Sequence, residues 1–152
     1  MKAFLDSNVL VYALSPGDDP RQPAARELLG RQPPSAWTIS TQVLAETFNA
    51  LVTRRHYPAK EALAAVQVLA RMHVHVPGAD TVLRALDLAV QHKLSTWDAM
   101  IVQVALESGC DTLLTEDLQA GRRFGPLEIV NPFDPQVHEP APRAPSARAR
   151  RR

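Results

Sequence analysis

Short apolar runs alternate with longer stretches of helical periodicity along most of this chain, and that alternation leaves few architectures open to it. Ala3-Phe4-Leu5, Thr38-Ile39-Ser40, residues 73–76, Thr112–Leu114 and residues 128–130 read as strands. Residues 23–31, 42–55, 59–71, 80–92 and 97–107 read as helices. The punctuation agrees with this division. Pro16-Gly17-Asp18-Asp19-Pro20 is a turn before the first of these helices, Pro58 suits a first helical turn, and Pro77-Gly78 stops the third strand. Asp80 can cap the helix that follows, Ser95 or Thr96 the next, and Gly109 closes it. Strands separated by helices predict an α/β fold: a parallel sheet with helices on both faces.

Four acids stand where such a fold could gather them. Asp6 ends the first strand, and Asp117 follows Leu113-Leu114 through Thr115 and Glu116, so both lie just past predicted strand ends. Open α/β sheets bind ligands at those ends, where the strand order reverses. Helical spacing sets Asp98 on the stripe of Ile101, Val102 and Ala105, and Glu46 on the side of Val43 and Ala50. Each therefore heads inward. Carboxylates brought together repel one another, and burial disfavours their ionised form. A dication removes that objection, and ligation by oxygen alone suits Mg²⁺ or Mn²⁺ better than Zn²⁺, which more often brings His or Cys.

A length of 152 residues fits one domain with a real core. From Asp134 onward five Arg stand against Asp134 and Glu139, a net +3, which leaves −2 on residues 1–133 out of the overall +1. A mildly acidic domain over 1–133 is thus followed by a basic tail over 134–152, rich in Pro, Ala and Arg, expected to be disordered when unbound. That tail is either a contact for nucleic acid or an acidic partner, or a solubilising extension. The single Cys110 excludes an intramolecular disulfide, fits a reducing cytoplasm, and reads as a small core residue. The apolar stretch after Lys2 is cut by Asp6 before a signal sequence forms, and no run is long enough to span a membrane.

Asp6-Ser7-Asn8-Val9-Leu10-Val11-Tyr12, residues 40–46, Trp97-Asp98-Ala99 and Thr115-Glu116-Asp117 resemble, in order and spacing, the motifs of PIN-domain ribonucleases. Size, and the ending Ile129-Val130-Asn131-Pro132-Phe133, resemble the stand-alone VapC toxins of type II toxin–antitoxin systems. The resemblance spans residues 1–133. It implies a PIN-like domain with five parallel strands, RNA cleavage dependent on Mg²⁺ or Mn²⁺, a homodimer, and a cognate antitoxin whose tail occupies the active-site groove. Asp6, Glu46, Asp98 and Asp117 match the acidic quartet, Asn8 and Thr115 match supporting polar positions, and Glu116 is an outer acid beside Asp117. Asp6 and Asp98 are then expected to hold one ion, with Glu46 and Asp117 near a second.

Outside the quartet, Arg54, Arg55, His56 and Lys60 cluster at a helix junction and Arg122-Arg123 follow the last acidic motif. Both groups are candidates for RNA phosphate contacts, and equally for a solvated face. Trp37 and Trp97 read as packing residues, with Trp97 a minor candidate for base stacking because of Asp98 beside it. The Ala- and Leu-rich helices 59–71 and 80–92 have more apolar positions than a small sheet needs, and read by default as packing helices.

Rival readings fail on particular residues. A haloacid-dehalogenase phosphatase needs a second Asp two residues after Asp6, where this chain has Asn8. A receiver domain needs a Lys after a late strand, and residues 115–131 contain none. Two alternatives stay open: a non-catalytic RNA- or partner-binding module on the same fold, and a PIN nuclease of RNA processing or quality control. A neighbouring antitoxin gene separates the latter from a toxin.

Overall fold

The computed structural model describes residues 1–135. Its elements run β1 (Ala3–Leu5), α1 (Ser7–Leu14), α2 (Arg21–Gly30), β2 (Thr38–Ser40), α3 (Thr41–Thr53), α4 (Ala59–Leu69), β3 (His73–His75), α5 (Ala79–His92), α6 (Thr96–Glu107), β4 (Thr112–Leu114), β5 (Arg123–Phe124) and β6 (Leu127–Val130). One sheet holds all the strands in the order β3-β2-β1-β4-β6-β5. Its first five members are mutually parallel, and β5 pairs antiparallel with β6.

Every residue of β1, β2 and β4 is buried, the burial expected of strands covered by helices. α6 packs on β2 and β4 and against α5, whereas α3 packs on β2 and joins α1 and α4. The core forms around Phe4, Leu5, Trp37, Ile39, Leu113 and Ile129, all at most 1 % exposed. Burying each such side chain contributes roughly 1.5–3 kcal/mol.

The chain steps outward from β1 through β2 to β3 and then returns to lay β4 on the other side of β1. The switch point therefore lies between β1 and β4, where Leu5 is level with Leu114 and the Asp6 N–H donates to the Leu114 carbonyl at 3.1 Å. Asp6 and Thr115 leave the sheet side by side.

The parallel sheet with flanking helices agrees with the sequence pattern, and the differences from it are local. α1 was not announced by that pattern, because it is only eight residues long and its apolar run Val9-Leu10-Val11, with two β-branched members, has no helical period. Asp6 caps it, its side chain accepting the Ser7 N–H. β5, only two residues long, is too short to show a period and is joined to β6 through Gly125, whose φ of +56° costs glycine nothing. Asp80 is not the cap of α5: Gly78 holds that place, and Asp80 lies in the first turn, where the helix dipole favours an acid. For α6 the cap is Ser95, and Gly109, at φ +68°, ends the helix as expected. The basic tail falls, beyond Pro135, outside the described residues.

Trp37 and Cys110 are core residues, and burial raises the Cys110 thiol pKa. Trp97 is not: two-thirds of it is exposed. Nor do α4 and α5 bury all their apolar positions, since Leu63 and Val68 on the first and Val82, Leu83, Leu86 and Val90 on the second are exposed. No helix among the described residues is long and apolar enough to cross a membrane.

Candidate active site

Asp6, Glu46, Asp98 and Asp117 line one hollow of about 240 Å³ above the switch point, together with Ser7, Asn49, Arg54 and Trp97. Each acid arrives on a different element. Asp6 follows β1 and caps α1, Glu46 lies midway along α3, Asp98 is in the first turn of α6, and Asp117 follows β4. The helical spacing that turned Glu46 and Asp98 inward is thus realised. A second hollow of about 230 Å³ shares Ser7, Arg54 and Asp117 and adds Asn8, Tyr12, Arg55 and Glu116 to its wall.

Thr115 is the hub beneath the acids. Its buried hydroxyl donates to Asp6 Oδ2 at 2.8 Å and accepts from Asn8 Nδ2 and from the Asp117 N–H, both at 3.1 Å. Asn8 Nδ2 also reaches Asp117 Oδ2 at 3.0 Å and, more weakly, Asp6 Oδ2 at 3.4 Å. One amide and one hydroxyl thereby set the spacing between two carboxylates from separate strands. Asn8 Oδ1 is buried without a hydrogen-bond partner among the described residues. A buried acceptor of that kind calls for a donor such as water held at the site.

Asp6 is only 6 % exposed, and its pKa is pushed up from 3.8 to about 6. Desolvation is the main cause, opposed by the hydrogen bonds from Thr115 and Ser7 and reinforced by the charges of Glu46 and Asp117. Glu46 is oriented on both oxygens: the Ser7 hydroxyl donates at 3.1 Å and Gln42 Nε2 at 2.8 Å. Asp98 takes the Ser95 cap through its backbone N–H, at 3.1 Å, which leaves its carboxylate free of that task.

The neighbouring acid Glu116 is occupied elsewhere. The Tyr12 hydroxyl donates to it at 2.7 Å and Arg21 pairs with it at 3.1 Å, while Arg21 also pairs with Asp19 at 2.7 Å and lies over the Tyr12 ring. Burial first, and then the bond to Glu116, raise the Tyr12 hydroxyl to about 12, so it stays a donor at neutral pH. Asp117, not Glu116, is the acid of this pair that lines the hollow of the quartet.

The basic candidates separate by position. Arg54 lines both hollows and Arg55 the second. Lys60 and His56 are exposed and line neither. Arg122 stacks on Phe124 and donates to the His92 carbonyl at 3.3 Å, and Arg123 pairs with Glu128, so both are engaged in or beside the β5–β6 hairpin. Ser7, Tyr12, Arg21, Gln42 and Asn49 were not singled out from sequence. Of these only Gln42, four residues before Glu46 on one helix, left a readable signal.

Among the described residues no three acidic, imidazole or thiol groups already converge closely enough to hold an ion between them. Mg²⁺ does not require that, because it keeps several waters and takes one or two carboxylates directly. An oxygen-only donor set, four acids facing one hollow and an unpartnered buried acceptor beside them fit such an ion.

Comparison with known proteins bears on the fold and the family. VapC20 from Mycobacterium tuberculosis, described as a sarcin-ricin loop cleaving toxin, is 26% identical, with a TM-score of 0.63 over 73% of this chain and 86% of that one. A toxin–antitoxin complex from Klebsiella pneumoniae has a TM-score of 0.67 at 20% identity, covering 87% of this chain and 98% of that one. VapBC-1 from nontypeable Haemophilus influenzae has a TM-score of 0.63 at 19% identity, covering 88% and 100%. No curated protein matches the sequence significantly. The profile of the PIN domain matches residues 3–123, and with most of its length so matched the chain belongs to the PIN-domain family.

Proposed function

We propose that this chain is an endoribonuclease dependent on Mg²⁺ or Mn²⁺, acting as the toxin of a toxin–antitoxin pair. The observation that carries the reading is the meeting of Asp6, Glu46, Asp98 and Asp117 in one hollow above the Thr115 and Asn8 hub. A cluster so unfavourable in isolation is best accounted for by a bound cation. The toxin assignment draws support from VapC20, a cleaving toxin at 26% identity. The antitoxin partner draws on the two complexes of the same fold.

Asp6 and Asp98 are the residues assigned to hold the ion, with Glu46 and Asp117 flanking them. When bound, the ion supplies the Lewis acidity that makes a water nucleophilic near neutral pH and offsets charge on the scissile phosphate. The remaining steps belong to the chain. Thr115 and Ser7 orient the two oxygens of Asp6, and Asn8 keeps Asp117 at a fixed distance from it. Ser7 and Gln42 hold Glu46. Arg54 is assigned to a phosphate next to the one cleaved, a role supported by its lining both hollows. In-line attack by water leaves a 5′-phosphate and a 3′-hydroxyl.

The test is cleavage of end-labelled total tRNA and ribosomal RNA by purified protein with Mg²⁺ or Mn²⁺, beside a chelator control. Discrete products that vanish with the chelator are expected, and metal-independent cleavage would refute the metal role. For the basic groups, Arg54→Ala should lower RNA affinity and reduce the slope of log K against log salt by about 1. Arg122 and Arg123 must first give up Phe124 and Glu128, so Ala at both positions is expected to cost less than Arg54→Ala alone. An unchanged slope for Arg54→Ala removes that contact.

Homodimerisation is proposed through α5, whose Val82, Leu83, Leu86 and Val90 fall on one helical face, with Val90 81% exposed. Light scattering is expected to find a dimer in the parent and a monomer in a Leu83→Glu, Val90→Glu variant. A variant that stays dimeric places the interface elsewhere.

A further inference from the structure

Trp97 is 66% exposed while Trp37 is 1% exposed, so the fold treats its two indoles in opposite ways. α6 does not need Trp97 for its own packing, because Ala99, Met100, Ile101 and Val102 supply the buried face. A tryptophan left two-thirds open forgoes most of the roughly 150–250 Å² of largely apolar surface that a packed aromatic buries. Its position is equally specific: it immediately precedes Asp98 and lines the hollow that contains the acidic quartet, as does Arg54.

We propose that Trp97 is a stacking platform for an unpaired RNA base adjacent to the cleaved bond, with Arg54 meeting the phosphate of that nucleotide. This deepens the proposed function and rests on it. If the reacting phosphate occupies the hollow, the flanking nucleotide lies within a few ångströms of whatever walls it, and Trp97 is the flat apolar group there. The carboxylates repel the RNA backbone, so affinity at this point must come from a contact that negative charge does not oppose. Stacking on a neutral indole is such a contact, and it accepts any base because every base has a π-face. Recognition of single-stranded RNA by aromatic side chains follows the same physics. Substrates with a splayed-out base at the cleavage site are therefore favoured over continuous duplex.

The experiment uses the full chain carrying Asp98→Asn to block cleavage, with and without Trp97→Leu or Trp97→Phe. The probes are a labelled twelve-residue oligoadenylate and an abasic ribose-phosphate chain of equal length. Trp97→Leu, which keeps bulk but removes the π-face, should weaken oligoadenylate binding roughly 5- to 150-fold. Trp97→Phe should recover much of the loss, and the abasic chain should bind both proteins alike. Oligoadenylate should also quench indole fluorescence in the parent and not in Trp97→Leu, since the remaining Trp37 is buried. Thermal melting should be unchanged, as an exposed side chain contributes little to the fold.

Equal affinity of parent and Trp97→Leu for oligoadenylate overturns the platform. So does an equal loss on the abasic chain, which makes Trp97 a wall and not a stacking surface. An indole signal that answers a partner protein and not RNA assigns the face to protein contact instead. These outcomes leave the nuclease reading intact wherever the parent protein still cleaves RNA, whereas failure of the wild type to bind or cut any RNA removes both.

Discussion

Replacing Asp98 by Asn is expected to lower RNA cleavage on the order of a thousand-fold while leaving the fold and much of the RNA affinity in place. The size follows from what the carboxylate is assigned to do: ion-based stabilisation of the transition state is worth several kcal/mol, and each 1.36 kcal/mol is a factor of ten in rate. The selectivity follows from the geometry. Among the described residues the Asp98 carboxylate makes no hydrogen bond or ion pair, and the Ser95 cap is taken by its backbone N–H. Asn keeps the shape, and the loss of a first-turn acid costs about 0.3–1 kcal/mol through the helix dipole. Single-turnover cleavage with Mg²⁺, read beside a melting curve, checks both halves. Cleavage within a few-fold of the wild type would remove Asp98 from the ion and leave Asp6 without the partner assigned to it.

That Asp98 was legible at all comes from periodicity. A residue three positions before Ile101 and four before Val102 must share their buried face, and Asp98 is half-buried and lines the hollow. Asp6 was legible for a different reason, the end of an apolar run in a sheet whose alternation with helices requires a switch point. What sequence left dark is lateral contact. Tyr12 and Arg21, which keep Glu116 turned to another partner, come from α1 and α2 and meet it about a hundred residues away along the chain. No local pattern encodes that meeting, so the motif resemblance could favour Asp117 over Glu116 but not say what turns Glu116 away. Trp97 shows the converse limit. An aromatic at a helix start beside a core stripe is ordinarily packed, and only its exposure in the fold separates it from Trp37.

Asp6→Asn, by contrast, should stabilise the metal-free protein at neutral pH while abolishing cleavage. The Asp6 carboxyl is raised from 3.8 to about 6, chiefly by burial, so keeping it ionised in the fold costs on the order of 3 kcal/mol. Below pH 4 both folded and unfolded chains carry it protonated and the cost is absent. Between pH 4 and 6 the unfolded chain loses the proton first and the cost grows, and above pH 6 it is complete. Asn cannot ionise, so its advantage should be full at pH 7 and fade toward pH 4. Part of the gain is lost because an amide must meet the Thr115 hydroxyl and the Asn8 amide where a carboxylate accepted both. A net gain of about 1–2 kcal/mol, several degrees in melting temperature, is the expectation for a domain of this size. Asp19, held low by Arg21, and Asp111, held low by Thr112 and the Lys2 N–H, lose stability as pH falls. Both are present in either protein, so the difference between wild type and variant isolates Asp6. Mg²⁺ should then narrow the gap at pH 7, because a cation that requires the ionised carboxyl stabilises only the wild type by mass action. A variant less stable than wild type at pH 7, or a gap indifferent to both pH and Mg²⁺, would mean that Asp6 is a fold-holding cap for α1 and not a strained acid kept for an ion.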